Sequence, residues 1–511
     1  MGTRGERRRP WRSVLAALAA TLVVGLTAVA GTTSAGAQAA GADDPAVEAF
    51  ADTWVHRALI LQEEFDRGEP LRNSLIPHSH NSANSSAYTP SLSTLDPNQS
   101  RTIGDQLRMG SRGIELDLHW VRNLGGLADG GFAVALCHGT TIELIDGVPL
   151  HVGCSVDRLF GEGLAEIRDF LAAPGNDDVV LLLYLENQLD GDATAHQRAV
   201  EALEEYLGEW LQPAPAGSGD GTCAPAPMDQ SRQDVLDGGH QIVVVGNCGP
   251  GRWGEYVHDR GPLWDESSHD GAYPAYPDCV DTVRAEQDYE ANFIRHWEDL
   301  TQLTALTNGG TMFPISPEVT RNMVACGVDM IGFDKLEPDD GRLEALIWSW
   351  APDEPRDDPS TACAARGDDG RFRMADCGEM HQVTCRTAAG AWVVPEPAVV
   401  WADAEAACEA VDATFTVPPT GWQNERLGVV ALAADAAVLW LPIGGPAAPS
   451  APTDPAPSSP TSDGGDGTPA AAVDTGSERT EVLPRTGGGA LALVAVVVLA
   501  TGLAIRPRRA D

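Results

Sequence analysis

Between residues 45 and 345 the chain alternates short apolar runs with segments of helical periodicity. The apolar runs read "SLIP", "GIELDL", "FAVALCHG", "DVVLLLYLEN", "QIVVVGNC", "TMFPIS" and "VDMIGFDKL". They are mostly unbroken stretches of Val, Ile and Leu, as is typical of parallel strands buried on both faces. The pattern predicts an α/β fold. Because no glycine-rich nucleotide loop is present, a TIM-type β/α barrel fits better than an open doubly wound sheet.

Polar residues gather where these predicted strands end. His80 and Asn81 follow the first strand, Glu115 and Asp117 end the second, His138 closes the third and Glu186 closes the fourth. In a β/α barrel the C-terminal ends of the strands share one rim, where active sites of this fold are built. We therefore expect two imidazoles, one amide and three carboxylates at a single mouth.

The stretch "GIELDLHW" places two of these carboxylates side by side. Glu115 and Asp117 are two residues apart in a strand and therefore point to the same face, where burial and repulsion both oppose them. A bound cation would remove this cost. Carboxylate and amide oxygens suit Ca²⁺, whereas zinc usually takes His or Cys. Two histidines beside such an ion could shuttle protons near neutral pH.

Four short motifs in this region resemble the calcium-dependent phosphatidylinositol-specific phospholipases C. These motifs are "SHNSAN", "RGIELDLHW", "ALCHG" and "LYLENQ", and they cover roughly residues 70 to 190. The resemblance implies a phosphodiesterase that converts an inositol phospholipid into a cyclic phosphodiester and diacylglycerol.

The same resemblance implies a role for each residue. Calcium would be bound by Asn81, Glu115, Asp117 and Glu186. His80 would stabilise the pentavalent phosphate, and His138 would protonate the departing glycerol oxygen. The substrate's own hydroxyl would attack, with Glu115 as its base, in an intramolecular step that gains from proximity.

The substrate stays open at this point. The basic residues that grip extra inositol phosphates in eukaryotic members have no recognisable counterpart here, which disfavours phosphorylated inositides. Unphosphorylated phosphatidylinositol, a glycosylated inositol lipid or another glycerophosphodiester remain as candidates. The alternative functions are a glycerophosphodiester phosphodiesterase, which also uses a Glu-x-Asp strand and a later histidine, and a surface adhesin without activity.

Other polar residues near the predicted mouth are assigned no chemistry. His78 and His119 are expected to be packing or hydrogen-bonding neighbours. Asp334 and Lys335 end the last predicted strand, where a local ion pair is expected.

The balance of 74 acidic and 34 basic residues gives a formal net charge of -40. This charge argues against nucleic acid as a partner and against electrostatic adsorption to anionic lipid. Contact with a membrane is therefore expected to be transient, apart from a C-terminal anchor.

Both ends of the chain carry targeting signals. Residues 1–37 combine an Arg-rich start, an apolar run and a small-residue cleavage site, and predict a secretory signal peptide. Residues 444–482 are rich in Pro, Ser, Gly and Asp and predict a disordered tether. In residues 483–511, "LPRTG", an apolar segment and trailing arginines resemble the sortase sorting signal of Gram-positive surface proteins. The resemblance implies a transmembrane helix, cleavage by sortase after Thr486 and attachment of Thr486 to cell-wall peptidoglycan.

Residues 346–443 change in character and predict a second, small α+β domain marked by tryptophans and cysteines. Ten cysteines in an exported chain without a CxxC pair indicate disulfides. Pairing of Cys137 with its neighbour Cys154 is one guess. The second domain weakly resembles a C-type lectin-like domain in permuted order, which would imply the pairs Cys363–Cys377 and Cys385–Cys408.

Overall fold

The computed structural model of the protein describes most of the chain between residues 44 and 444. The described ranges are 44–88, 97–122, 131–143, 149–215, 221–261, 264–266, 273–279, 293–297, 315–356 and 362–444. The predicted signal peptide, the sorting signal with Thr486 and all of the predicted tether except Gly444 lie outside them, as does most of the predicted strand "TMFPIS".

Seventeen strands are present in the described ranges. They are β1 Ile76–Ser79, β2 Gly113–Arg122, β3 Phe132–Glu143, β4 Pro149–Leu159, β5 Leu181–Gln188, β6 Ile242–Gly246, β7 Val257–Asp259, β8 Trp264–Glu266, β9 Ile294–Trp297, β10 Met330–Phe333, β11 Ala362–Arg366, β12 Phe372–Asp376, β13 Gln382–Val383, β14 Cys385–Thr387, β15 Trp392–Val393, β16 Ala413–Phe415 and β17 Leu439–Gly444.

Ten α-helices accompany these strands in the same ranges. They are α1 Pro45–Ala51, α2 Trp54–Glu63, α3 Ile103–Arg108, α4 Phe160–Leu171, α5 Ala193–Leu207, α6 Arg232–Asp237, α7 Pro317–Cys326, α8 Gly341–Ala345, α9 Ala404–Glu409 and α10 Gly421–Ala433.

Eight strands pair in parallel in the order β7-β6-β5-β2-β1-β10-β9-β8. The first of them, β1, pairs on one side with β2 and on the other with β10, the last. Because the first and last strands of the series are neighbours, the sheet curls into a TIM-type barrel rather than an open sheet. The predicted fold class is confirmed in this respect.

Successive side chains of each barrel strand point alternately into two cores, one inside the barrel and one between the barrel and the helices. On β2, Ile114, Leu116 and Leu118 are buried in the outer core. The helices α4 and α5 contribute their apolar faces to the same core. The residues between them on β2, Glu115 and Asp117, point inward. In the sequence these strands look almost continuously apolar. In the structure every second position points into the barrel, and on β2 these positions carry polar side chains.

One close approach inside the barrel requires a glycine. His78 on β1 lies opposite Gly113 on β2, and a Cβ atom added to Gly113 would lie 2.2 Å from His78 Cδ2. The His78 ring, which is buried, also contacts Tyr184 edge-on with ring centroids 6.2 Å apart. His78 is thus a packing residue below the mouth, as expected.

The third predicted strand is not a barrel strand. β3 runs antiparallel to β2 over Leu118–Arg122 and continues into a hairpin with β4. β5 pairs along one edge of β2. β1 and β3 share the other edge: β1 pairs with its start at Gly113 and Ile114, and β3 pairs with its end from Leu118 onward. The assignment of "FAVALCHG" to the barrel was therefore wrong, since a short apolar run looks alike in both settings.

The disulfides connect residues close in sequence. Cys223 pairs with Cys248, Cys279 with Cys326, Cys363 with Cys377 and Cys385 with Cys408. The last two are the pairs expected for residues 346–443. Cys137 is also disulfide-bonded, and the strand register places it opposite Cys154.

Residues 346–444 form two small sheets, β12-β11-β17-β13 and β15-β14-β16, with α9 and α10. They share a hydrophobic core with the barrel, in which Phe372 and Leu441 join Met323 and Val324 of α7. Asn424 Nδ2 of α10 also donates to the backbone oxygen of Trp348 at 3.2 Å. The barrel and this region belong to one compact unit.

In the part of the chain that the structure describes, no helix is long and apolar enough to cross a membrane.

Candidate functional site

The C-terminal ends of four neighbouring barrel strands meet at the mouth. Asp117 on β2 lies directly opposite Glu186 on β5, and Glu115 precedes Asp117 by two positions. His80 follows β1, and Asp334 follows β10. The strand order β5-β2-β1-β10 therefore lines up three carboxylates, an imidazole and a fourth carboxylate along one rim.

Three of the four predicted calcium ligands come together. Carboxylate oxygens of Glu115, Asp117 and Glu186 lie within 4.8 Å of one another. Burial, and then the negative charges of Glu186 and Glu115, raise the pKa of Asp117 well above its usual range. Asp117 Oδ1 is buried and has no hydrogen-bond partner among the described residues. Mutual repulsion and an unsatisfied buried oxygen are what a cation would relieve.

The fourth predicted ligand, Asn81, is held against Glu115. Its backbone N–H donates to Glu115 Oε2 at 3.0 Å, and its Nδ2 lies 2.9 Å from His80 Nε2. Its φ of 46° is left-handed, a conformation that asparagine tolerates better than most residues. With Nδ2 used by His80, Asn81 Oδ1 is the side-chain atom suited to a cation.

Ser82 fixes the loop after β1 to β2. Its backbone N–H donates to the Glu115 carbonyl at 3.0 Å, and its Oγ accepts from the Glu115 N–H at 3.1 Å. The side chain of Ser82 also donates to the Ser79 carbonyl at 2.7 Å. These bonds set the distance between the histidine loop and the carboxylates.

His80 is oriented by Asp334, for which the sequence predicted only an ion pair with Lys335. His80 Nδ1 lies 3.0 Å from Asp334 Oδ1, and Asp334 is fully buried. Its other nitrogen, Nε2, lies 3.9 Å from Glu115 Oε2. The position of Asp334 after the last strand was visible in the sequence. Its partnership with His80 follows only once the first and last strands are known to pair.

His138 reaches the mouth from β3 rather than from a barrel strand. Its Nδ1 lies 3.3 Å from Nδ2 of Asn84, which follows His80 and Asn81 in the same loop. Asn84 Nδ2 also donates to Asn98 Oδ1 at 2.7 Å, and Asn98 Nδ2 donates to Asp334 Oδ2 at 2.9 Å. Both predicted catalytic histidines thus belong to one hydrogen-bonded group. Asn84 and Asn98 were not predicted from the sequence, because nothing in their spacing marks them.

His119 does not join the carboxylate cluster, although it follows Glu115 and Asp117 in the alternation of β2. It is fully buried and lies opposite Ala135 of β3 and Gln188 of β5. It belongs to the region where the hairpin covers the barrel.

A polar cleft lies at the ends of β5 and β6. It has a volume of about 510 Å³, and its lining includes Asn187, Gln188, Asp190, His196 and Asn247. Gln188 Nε2 donates to Glu186 Oε2 at 3.1 Å and so connects the cleft to the cluster. Burial lowers the pKa of His196, whose Nε2 lies 2.9 Å from Asn187 Nδ2. The cleft is rich in amides, which bind hydroxyl groups well.

Comparison with known proteins identifies the family. Residues 38–340 match the model of the Rv2075c PI-PLC-like domain. Two proteins of Mycobacterium tuberculosis, the uncharacterized proteins Rv2075c and MT2135, are each 39% identical over 401 residues. The match covers 76% of this chain and 80% of each relative.

Two solved structures of similar proteins are phosphatidylinositol-specific phospholipases C. The enzyme of Listeria monocytogenes is 13% identical with a TM-score of 0.34, and the match covers 56% of this chain and 97% of that one. An enzyme of Staphylococcus aureus is 10% identical with a TM-score of 0.37, covering 57% of this chain and 99% of that one.

The chain belongs to the family of the Rv2075c PI-PLC-like domain. This membership supports the phosphodiesterase class that the sequence motifs indicate.

Proposed function

We propose that the protein is a calcium-dependent phosphodiesterase that cleaves phosphatidylinositol-type lipids into a cyclic inositol phosphate and diacylglycerol. The observation that carries the proposal is the cluster of Glu115, Asp117 and Glu186, which lies at the same barrel mouth as His80 and His138.

The donor set favours calcium. Glu115, Asp117 and Glu186 offer carboxylate oxygens and Asn81 offers an amide oxygen, and these hard ligands match the all-oxygen shell that calcium prefers. When bound, the ion would acidify the attacking hydroxyl and neutralise charge on the phosphate.

The protein's own residues supply the proton transfers. A hydroxyl of the inositol ring attacks phosphorus, and Glu115 takes its proton as the new oxygen–phosphorus bond forms. The bond between phosphorus and the glycerol oxygen breaks, and His138 gives that oxygen a proton. His80, held through its Nδ1 by Asp334 at 3.0 Å, stabilises the phosphate oxygen that gains charge.

The cleft beside Glu186 supports an unphosphorylated headgroup. None of the described residues that line it is a lysine or arginine, and Asp190 adds a negative charge. Amides offer hydrogen bonds to the hydroxyls of a polyol, whereas a phosphomonoester in this position would meet like charge. We therefore propose phosphatidylinositol or a glycosylated inositol lipid as the substrate class.

A substrate panel tests the function. The protein is incubated with phosphatidylinositol, its 4,5-bisphosphate and glycerophosphoinositol, with calcium or with a chelator, and His80→Ala and His138→Ala are run beside His240→Ala. We expect calcium-dependent turnover of phosphatidylinositol. His80→Ala and His138→Ala should lose activity. His240→Ala should keep it, since His240 lies outside the mouth, just before β6. Turnover of glycerophosphoinositol to free glycerophosphate would instead identify a glycerophosphodiester phosphodiesterase. No turnover of any substrate would favour the adhesin.

We also propose that the protein is exported and attached to the cell wall through Thr486. The terminal signals support this, and the disulfides fit an oxidising compartment. Mass spectrometry of muralytic wall digests tests the proposal. A peptide ending at Thr486 linked to a peptidoglycan fragment is expected, and a peptide that continues through Gly487 would contradict it.

A further inference from the structure

His138 lies just beyond the point where β3 leaves the barrel. Among the described strands, β3 pairs with β2 as far as Leu136, which lies opposite Leu118. From Cys137 onward β3 pairs with β4. The backbone that carries His138 is therefore held by the hairpin of β3 and β4 rather than by a barrel strand.

This part of the hairpin contains a β-bulge. Two pairs of opposite residues border it, Cys137 with Cys154 and Thr140 with Val152. Between them β3 has two residues, His138 and Gly139, whereas β4 has one, Gly153. A bulge bends its strand and redirects the side chains beside it, and bulges are common next to active sites for this reason.

A disulfide lies directly next to the bulge. Cys137 is disulfide-bonded and only 5% exposed. Eight of the ten cysteines pair with one another, so the partner left for Cys137 is Cys154, which the strand register places opposite it. A covalent bond between the strands at this point prevents a change of register, and a shift by one residue would turn His138 to the other face of the hairpin.

We propose that the disulfide between Cys137 and Cys154 positions the general acid, because it fixes the bulge that directs His138 to the mouth. The inference rests on the proposed function for the role of His138, and it adds what holds that histidine in place. The contact of His138 Nδ1 with Asn84 Nδ2, at 3.3 Å, joins the hairpin to the loop after β1. This contact reports whether the hairpin keeps its place on the barrel.

Peptide mapping of the wild-type protein without reduction tests the bond itself. We expect two peptides joined through Cys137 and Cys154. A free thiol at Cys154 would overturn the inference.

Two double variants test the positioning. Cys137→Ala/Cys154→Ala removes the bond, and Cys363→Ala/Cys377→Ala is the matched control. The control pair closes a loop of similar length, 14 positions, and joins β11 to the turn after β12, outside the mouth. Because the stabilisation by a disulfide depends on the length of its loop, both variants should lose similar stability.

Crystal structures of the two variants give a readout that needs no substrate. In Cys137→Ala/Cys154→Ala we expect His138 Nδ1 to move out of contact with Asn84 Nδ2, and in the control we expect the contact to stay at 3.3 Å. An unchanged contact in the first variant would overturn the inference. If that variant does not fold, Cys137→Val/Cys154→Ala replaces it, since valine refills buried volume without restoring the bond.

Two substrates separate a misplaced general acid from a general loss of activity. Phosphatidylinositol releases an alkoxide that needs a proton, whereas the p-nitrophenyl ester of inositol phosphate releases a phenolate that is stable without one. In the first variant we expect kcat for phosphatidylinositol to fall by about tenfold or more with little change in KM, since general acid catalysis contributes roughly 10²- to 10⁴-fold. For the nitrophenyl ester we expect kcat to change by less than about twofold. The control variant should keep both activities.

Equal losses on both substrates, or no loss on either, would overturn the inference. If the wild-type protein cleaves neither substrate, the proposed function fails instead. The peptide map and the crystal structures then still decide whether the disulfide holds His138 in place.

Discussion

His80 and Asp334 are 254 positions apart in the sequence, yet His80 Nδ1 lies 3.0 Å from Asp334 Oδ1. They meet because the first and last barrel strands, β1 and β10, pair in register from Ile76 with Met330 to Ser79 with Phe333. The closure of the barrel thus assembles the histidine with the carboxylate that orients it, and an open sheet would leave them at opposite edges.

Replacing Asp334 with asparagine should reduce activity more than stability. The substitution keeps the shape of the side chain but removes the carboxylate charge that holds His80 through its Nδ1. We expect kcat to fall by about 10²-fold or more, because a charge beside a catalytic imidazole contributes on that scale. Steady-state kinetics and urea unfolding measure the two effects. A variant with full activity would show that the contact at 3.0 Å has no part in catalysis.

In chelator, replacing Asp117 with asparagine should stabilise the protein. Burial and the charges of Glu186 and Glu115 raise the pKa of Asp117 in the folded state, so the folded protein binds the proton more tightly than the unfolded chain. Its stability in chelator therefore falls as the pH rises from the ordinary carboxyl range through the raised pKa. Asp117→Asn should remove this loss and therefore be the more stable protein at pH 8 in chelator.

Urea unfolding of both proteins at pH 5 and pH 8 measures this effect. With calcium added, the order should reverse, because binding stabilises only a protein that retains its ligands. A lower stability of Asp117→Asn in chelator at pH 8 would contradict the repulsion within the cluster.

Replacing Gly113 with alanine should destabilise the barrel. The new methyl group would lie 2.2 Å from His78 Cδ2, so either the ring or the strand must move, at a cost of about 1 to 3 kcal/mol for an overpacked core. Gly68→Ala is the control, because no atom lies within 4 Å of its added Cβ. The double variant Gly113→Ala with His78→Ala should lose less than the sum of the single losses in thermal unfolding. Additive losses would show that the two residues do not compete for space.

Shortening the chain should reveal how far the barrel depends on residues 346–444. A chain that ends at residue 345 loses Phe372 and Leu441 from the core around α7. We expect it to unfold at a lower urea concentration than a chain that ends at residue 444, the last residue of β17. Equal midpoints of the two chains would show that the shared core adds nothing to the stability of the barrel.

The sequence predicted the barrel and most of its mouth because both depend on local pattern. Buried parallel strands appear as apolar runs, and Glu115, Asp117 and Glu186 interrupt such runs at their C-terminal ends. Periodicity of this kind needs no knowledge of distant neighbours.

The rest depends on pairings between distant segments. The sequence of β3 looks like that of a buried parallel strand. Its antiparallel pairing with β2 is set by tertiary contacts. Asp334, Asn84 and Asn98 matter through their contacts with one another and with the two histidines. Such contacts leave no periodic trace in a single sequence.

Calcium-dependent cleavage of phosphatidylinositol is tested most directly by ³¹P NMR of phosphatidylinositol vesicles mixed with the protein, first in chelator and then after excess calcium is added. We expect no change in chelator and, after calcium, loss of the lipid signal with the growth of a cyclic inositol phosphodiester signal. Cleavage at the same rate in chelator, or a lipid signal unchanged by calcium, would contradict it.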